Sequence, residues 1–369
     1  MTQSVIRLRF IKWTMLLSLS LGLLYTSCSK STTNNNPPPT DKSALQKAVD
    51  SAQFYYSQTV EGTKPGDYTV GAKSPLKTAL DAANAVLNDP TSTQATLTNA
   101  AANLTGATTT YKATYITQIA PANLIAYWKM NGNANDSSGN AHNGTVTAGH
   151  AFFGAGTPAL TVDRFGRTGM AYHFDKGGNI EVPYTSSLNP TEMSISLWVR
   201  QDTAGRKINP ANCYMVAMNR WNGFKFQTQP FLPFYTVKVD TLLGKPQPIY
   251  DRDDAGVAIT PGTTWYHLVV TYKSNEMKFY INGDLITTWP TPLGDGKVPG
   301  TAVSLAANQI NLTIGSDLPT SKYLTVDATG NYLVDYGGFW TGDMDDVMFY
   351  NVALTGPQVQ SIFTNQKTL

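Results

Sequence analysis

Met193-Ser-Ile-Ser-Leu-Trp-Val-Arg200 is the stretch on which the fold turns. Met193, Ile195, Leu197 and Val199 take one parity and Ser194, Ser196, Trp198 and Arg200 the other, the two-residue period of a strand with one apolar face. Downstream, Trp265-Tyr-His-Leu-Val-Val-Thr-Tyr272 is apolar on both parities, as expected of a central strand covered on both sides. Asn282-Gly283 separates Met277-Lys-Phe-Tyr-Ile281 from Leu285-Ile286, a type I′ hairpin signal. Beyond Pro121 such short strands, spaced by Gly, Pro and Asn, predict a two-sheet antiparallel β-sandwich. A short amphipathic helix, Gly356-Pro-Gln-Val-Gln-Ser-Ile-Phe363, follows the last strand.

Upstream of the sandwich the period is helical. Leu45, Val49, Ala52 and Tyr56 form one stripe, Leu76, Leu80, Ala83 and Leu87 a second, and Leu97, Ala101, Leu104 and Tyr111 a third. Ser74-Pro75 reads as an N-cap followed by proline at the first helical position, and Asn88-Asp-Pro90 stops that helix before Thr91 or Ser92 starts the next. The fold class is therefore multidomain and mainly β, with an N-terminal three-helix bundle at 41–115 and a sandwich at 122–369.

The first 40 residues read as an address. Arg7, Arg9 and Lys12 precede the apolar run Met15–Leu24, which is too short to span a bilayer and ends at Tyr25-Thr-Ser-Cys28. Leu24-Tyr-Thr-Ser-Cys28 resembles a bacterial lipobox. That implies a signal peptide at 1–27, cleavage before Cys28 and lipidation at that residue, the competing reading being an ordinary signal peptide with a chance cysteine. Acyl chains contribute about 0.8 kcal/mol per buried methylene, so several anchor a chain firmly to a membrane. Ser29 after the cysteine resembles routing to the outer membrane. Residues 28–40, polar and ending in Pro37-Pro-Pro39, form a disordered tether. Cys213 is the only other cysteine, so no internal disulfide is expected. A net charge of +2 over 369 residues predicts neither nucleic-acid binding nor a strongly anionic target.

Several of these landmarks, namely Leu124–Met130, Asn135-Asp-Ser-Ser-Gly-Asn140, the strands above and the closing Gly342-Asp-Met-Asp-Asp-Val-Met-Phe-Tyr350, together resemble the laminin-G-like, concanavalin A-like lectin/glucanase family. The resemblance implies a jelly roll. Val60–Gly71 followed by Leu76–Ala83 resembles the FIVAR-type helical module of bacterial surface proteins, which implies a spacer or a sugar-binding accessory.

Catalytic chemistry is sparse. Glucan-cleaving relatives use two glutamates flanking an aspartate on one strand, because a retaining mechanism needs carboxyl groups about 5–5.5 Å apart. Here Glu181, Glu192 and Glu276 are isolated from one another, and the dense acidic strand is Asp343, Asp345 and Asp346. His142, His150, His173 and His267 show no zinc-protease spacing. What remains is a possible structural calcium ion held by Asp136 near the first strand and Asp345 and Asp346 in the last, which such a sandwich makes neighbours; an Asx turn and a strand-end cap are the alternatives. Loop aromatics suit sugar stacking: Trp221, Tyr336 and Trp340, with Asn222 and Asp335 for the hydroxyls. The expectation is a non-catalytic glycan-binding lipoprotein of the outer membrane surface. Its rivals are a structural or adhesive surface lipoprotein that binds a protein partner, in a glycan-uptake or adhesion assembly, and a glycoside hydrolase.

Overall fold

A computed structural model describes residues 40–203, 213–239, 249–274, 276–290, 301–325 and 339–368; Cys28, Asp335 and Tyr336 lie outside them. Three helices open this part of the chain: α1 (Ser43–Gln58), α2 (Lys73–Asn88) and α3 (Gln94–Lys112). Between α1 and α2 run two short parallel strands, β1 (Glu61–Gly62) and β2 (Tyr68–Thr69). The helices share a buried cluster of Leu45, Val49, Ala52, Leu76, Leu80, Ala83, Leu97, Leu104 and Tyr111, with Tyr56, Leu87 and Ala101 at its margin. These are the three stripes of the sequence. Their starts differ from expectation. α2 begins at Lys73, ahead of Ser74-Pro75, because the Glu61 carboxylate accepts its first backbone N–H. α3 is capped by Thr93, whose hydroxyl accepts from Thr96 N, while Thr91 folds back on Asp89.

The sandwich strands are β3 (Leu124–Trp128), β4 (Thr145–Thr147), β5 (Ala159–Val162), β6 (Thr168–Phe174), β7 (Asn179–Val182), β8 (Met193–Gln201), β9 (Cys213–Met218) and β10 (Phe224–Thr228). They continue with β11 (Pro233–Val239), β12 (Ile249–Asp254), β13 (Tyr266–Lys273), β14 (Glu276–Ile281), β15 (Asp284–Pro290), β16 (Leu312–Ile314) and β17 (Gly342–Tyr350), and α4 (Gly356–Gln366) closes the chain. One sheet has the order β12-β11-β10-β9-β16-β7-β4, the other β15-β14-β13-β8-β17-β6-β5, with β3 also paired to β17. All these pairings are antiparallel. First and last sandwich strands are thus neighbours.

Met193, Ile195, Leu197 and Val199 of β8 enter the core between the sheets together with Leu268, Val270, Phe224, Phe226, Ile314 and Phe349. The opposite parity of β8 is not left to water. Ser194 donates to Val352 O, Ser196 bonds His267, and Trp198 stacks on Phe363 of α4. A second apolar cluster, including Val269, Tyr280, Met348, Tyr350 and Val359, fills the space under α4. The helix carries a Thr355/Gln358 capping box at its start, which satisfies two of its orphan backbone donors. From α4, Ser361 and Asn365 donate to Thr63 O and Gln358 donates to Thr117, so one helix touches both the sheet and the helical region. Residues 41–369 form one compact unit.

Candidate functional site

The acids of the closing strand are held by a guanidinium. Register slips between Asp345 and Met348, and Asp346 adopts φ 48°. Consecutive residues of a regular strand point to opposite faces, and this bulge removes the alternation, letting both carboxylates reach Arg164. Arg164 Nη1 pairs with Asp345, and Nη2 pairs with Asp346 at 2.6 Å. Its Nε and Nη2 also donate to Gln366 O at the end of α4. Burial and the adjacent Asp346 push the Asp345 carboxyl above the ordinary range, against the pull of Arg164. Asp343 is likewise occupied, by Arg200 Nη2 at 2.5 Å and His173 Nδ1 at 2.8 Å.

Asp136 serves a different purpose. Its carboxylate accepts backbone N–H groups from Tyr127, Ser138 and His142 and the Ser138 hydroxyl, closing the Asn135–Asn140 loop as an Asx turn. Burial disfavours its charge, but these donors outweigh that and hold the carboxyl below its usual range. Tyr127 gives its backbone N–H to Asp136 and its hydroxyl to Asp346, so the two acids are tied to opposite ends of one residue. Among the described residues no group of three His, Cys, Asp or Glu is arranged to hold a metal ion. The set Asp136, Asp345 and Asp346 expected for calcium is thus not assembled: one member is spent on backbone amides and the other two on an arginine.

The expected glycan contacts separate. Trp340 is fully buried in the inter-sheet core, its backbone N–H on Gly315 O, so it has no face to offer a ligand. A loop aromatic beside glycines is expected from the sequence; in the structure Phe339 and Trp340 are both buried. Trp221 and Asn222 sit on a 3-10 turn at 220–222, half-buried and exposed respectively, with Lys225 Nζ 3.2 Å from the centre of the Trp221 ring. Beside them Arg220 pairs with the fully buried Asp317 at 3.2 Å, and burial pushes that carboxyl up to about 6 against Arg220 and Lys225. Asp335 and Tyr336 fall outside the described residues.

Unforeseen in the sequence is a cleft of about 310 Å³ on the outer face of the β13-β8-β17 sheet. Its walls are Arg164, Phe165, Trp198, Trp265, Asn282, Phe363 and Lys367. Four of the walls have a local cause. Asp163 accepts the N–H groups of Phe165 and Arg167 and so fixes the loop that presents Arg164 and Phe165. Asn282, at φ 53° in the hairpin turn, exchanges hydrogen bonds with the His267 backbone through its side chain and its N–H. Trp198 donates its indole N–H to Gln366 Oε1 at 3.0 Å. Arg164 lies between rings, 4.5 Å from the centre of Phe165 and 4.6 Å from that of Trp198. Behind the wall, burial pushes the His267 imidazole down to about 3, with Arg164 adding to the effect. The Asn-Gly turn, the lone tryptophan of β8 and the terminal helix were each visible in the sequence, but nothing local linked them to Arg164.

The chain is similar to a gellan lyase of Bacillus sp., with 41% identity over 81 residues, which is 22% of this chain and 3% of that enzyme. Among solved structures it is similar to domain 4 of AbnA, a GH43 extracellular arabinanase from Geobacillus stearothermophilus, in complex with arabinotriose, at 20% identity and a TM-score of 0.41, covering 65% of this chain and 98% of that one. It is also similar to the binding domain of Paraclostridial Mosquitocidal Protein 1, at 16% identity and a TM-score of 0.45, covering 66% of this chain and 52% of that one. A family model matches residues 174–360, about half of the sequence, and by that match the chain belongs to the concanavalin A-like lectin/glucanases superfamily.

Proposed function

We propose that this chain is a non-catalytic glycan-binding protein of the cell envelope, anchored by lipid at Cys28 to the outer membrane, with α1–α3 as a spacer. The cleft at Trp265 and Phe363, with the buried Trp198 as its backing, carries the reading. Sugar rings present apolar C–H faces that pack on aromatic side chains, while Asn282, Arg164 and Lys367 stand beside those faces as hydrogen-bonding groups for hydroxyls. Its volume lies at the lower end of the range for small-molecule sites, roughly 300–1,000 Å³, which suits a short saccharide segment. Binding rather than hydrolysis is supported by the closing strand, where Asp343 and Asp345 are each locked to an arginine and are not paired across a cleft.

A glycan array with the whole chain, followed by calorimetry on the best ligand, tests this. Trp265→Ala should lower affinity by about tenfold, since a stacked aromatic is worth roughly 0.5–1.5 kcal/mol beyond its buried area. Unchanged affinity with a folded variant would remove the cleft as the site; loss on Trp221→Ala instead would move it to the Trp221-Asn222 turn. The envelope address is tested by labelling with palmitate, which should enter the wild type and not Cys28→Ala.

A further inference from the structure

The seven walls of the cleft include two cations, Arg164 and Lys367, and no carboxylate. Asp345 and Asp346 lie behind Arg164 with side chains 2% and 13% exposed, and both are paired to its guanidinium. Further cations crowd the aromatic walls: Arg167 sits 5.1 Å from the centre of Phe165 and Arg200 5.4 Å from that of Trp265. Arg167 is matched by Asp163 and Arg200 by Asp343. Lys367 is different. It is exposed at the C-cap of α4, its ammonium lies 5.1 Å from the centre of Phe363, and it forms no ion pair among the described residues. Arg164 also keeps something in reserve. Of the five N–H donors of a guanidinium, four are taken by Asp345, Asp346 and Gln366 O, leaving one on Nη1. The charges around the cleft therefore balance in number but not in position: the acids are turned to the arginines behind the wall, and Lys367 stands open on its rim.

We propose that the cleft takes a saccharide bearing an anionic group, a uronate carboxylate or a sulfate ester, with its ring against Trp265 and Phe363 and its anion between Lys367 and the remaining N–H of Arg164. This rests on the glycan-binding reading of the same cleft and adds the charge of the ligand to it. A planar carboxylate or a sulfate accepts two donors at once, and charge-assisted hydrogen bonds of this kind are roughly twice as strong as neutral ones. Lys367 near the helix end also complements the α4 dipole, which accounts for a cation there but not for its place in a wall that includes no carboxylate.

The test uses the whole chain purified in detergent and three probes: an oligogalacturonide, the same oligomer fully methyl-esterified, and a sulfated galactan oligomer. The free uronate should bind about two- to fivefold more tightly than its ester, the size expected of one exposed charge pair. The preference should shrink at about 0.5 M salt, where screening acts over a few ångströms. Lys367→Gln should abolish most of it and Lys367→Glu should reverse it, with unchanged melting temperatures showing that α4 stays in place. Preference for the sulfated probe over the uronate would assign the anion to a sulfate ester. Equal binding of free acid and ester, or a preference untouched by Lys367→Glu, overturns the anionic inference and leaves the glycan reading standing. If none of the three binds a folded protein, the anionic inference is overturned, and the glycan reading falls with it only if the array is also blank.

Discussion

Gly283 and Phe363 meet so closely that a Cβ on the glycine would lie 2.8 Å from the phenylalanine ring, at a φ of +84° that L side chains rarely adopt. The hairpin turn between β14 and β15 is therefore the floor on which α4 rests. Gly283→Ala adds backbone strain of about 1–2 kcal/mol and pushes Phe363 out of the cleft wall. Chemical denaturation should show a loss of that size, and saccharide affinity should fall with it. Affinity and stability both equal to wild type would mean that α4 tolerates the displacement.

Arg164 should matter for stability beyond any ligand. Arg164→Met leaves Asp345 and Asp346 without their cation in a site closed to water, and breaking such a pair costs about 3–5 kcal/mol. The triple variant Arg164→Met, Asp345→Asn, Asp346→Asn should recover much of that loss. If it does not, packing of the guanidinium between Phe165 and Trp198 is the dominant contribution.

Trp340 and Trp221 should respond oppositely to truncation. Trp340→Ala empties a fully buried site and should destabilise the sandwich by about 3–5 kcal/mol. Trp221→Ala removes a half-exposed ring and should cost about 1 kcal/mol or less. Urea unfolding of the two variants checks both values; comparable costs would show Trp221 to be a structural anchor for Lys225.

The histidines predict opposite pH dependences. His267 is held neutral by burial with its pKa down to about 3, whereas in the unfolded chain it ionises near 6.5. The unfolded state then binds more protons below about pH 6.5, so stability falls as pH drops from there towards about 3, by up to about 1.4 kcal/mol per unit. His173 is raised instead by its hydrogen bond to Asp343. Its contribution is complete below about pH 6.5 and is lost as pH rises through the folded-state value. Unfolding free energies against pH for wild type, His267→Gln and His173→Gln should show the acid-side slope vanish in the first variant and the alkaline-side slope weaken in the second. A wild-type acid slope retained by His267→Gln would point to the carboxylates.

The double duty of α4 gives a further expectation. Ser361 and Asn365 bond Thr63 O on one side of the helix, while Phe363 and Lys367 wall the cleft on another. The double variant Ser361→Ala, Asn365→Ala should speed amide exchange around Thr63 and α2 while saccharide affinity stays within about twofold, because each lost surface hydrogen bond is worth about 1 kcal/mol and neither residue lines the cleft. Slower exchange, or exchange equal to wild type, would show that other contacts hold the helical region against the sandwich.

The sequence alone determined what depends on near neighbours. The alternation of Met193–Arg200, the Asn282-Gly283 turn, the three helical stripes and the closing strand Gly342–Tyr350 all appear in the structure where their periods and turn residues placed them. Strand period and turn geometry are set by backbone sterics over a few residues, so a linear reading reaches them. Only the tertiary structure decided which faces met. The second parity of β8 carries small polar residues and one tryptophan, and only the fold shows that α4, some 165 residues later, covers Trp198. Trp340 reads as a loop aromatic beside glycines until the strands around it close into a core. Asp345 and Asp346 read as calcium ligands or a strand cap until a bulge turns both towards Arg164, roughly 180 residues away. Burial and charge pairing depend on groups distant in the chain and close in space, and that is why the cleft, whose walls come from five separate segments, was not legible in the sequence.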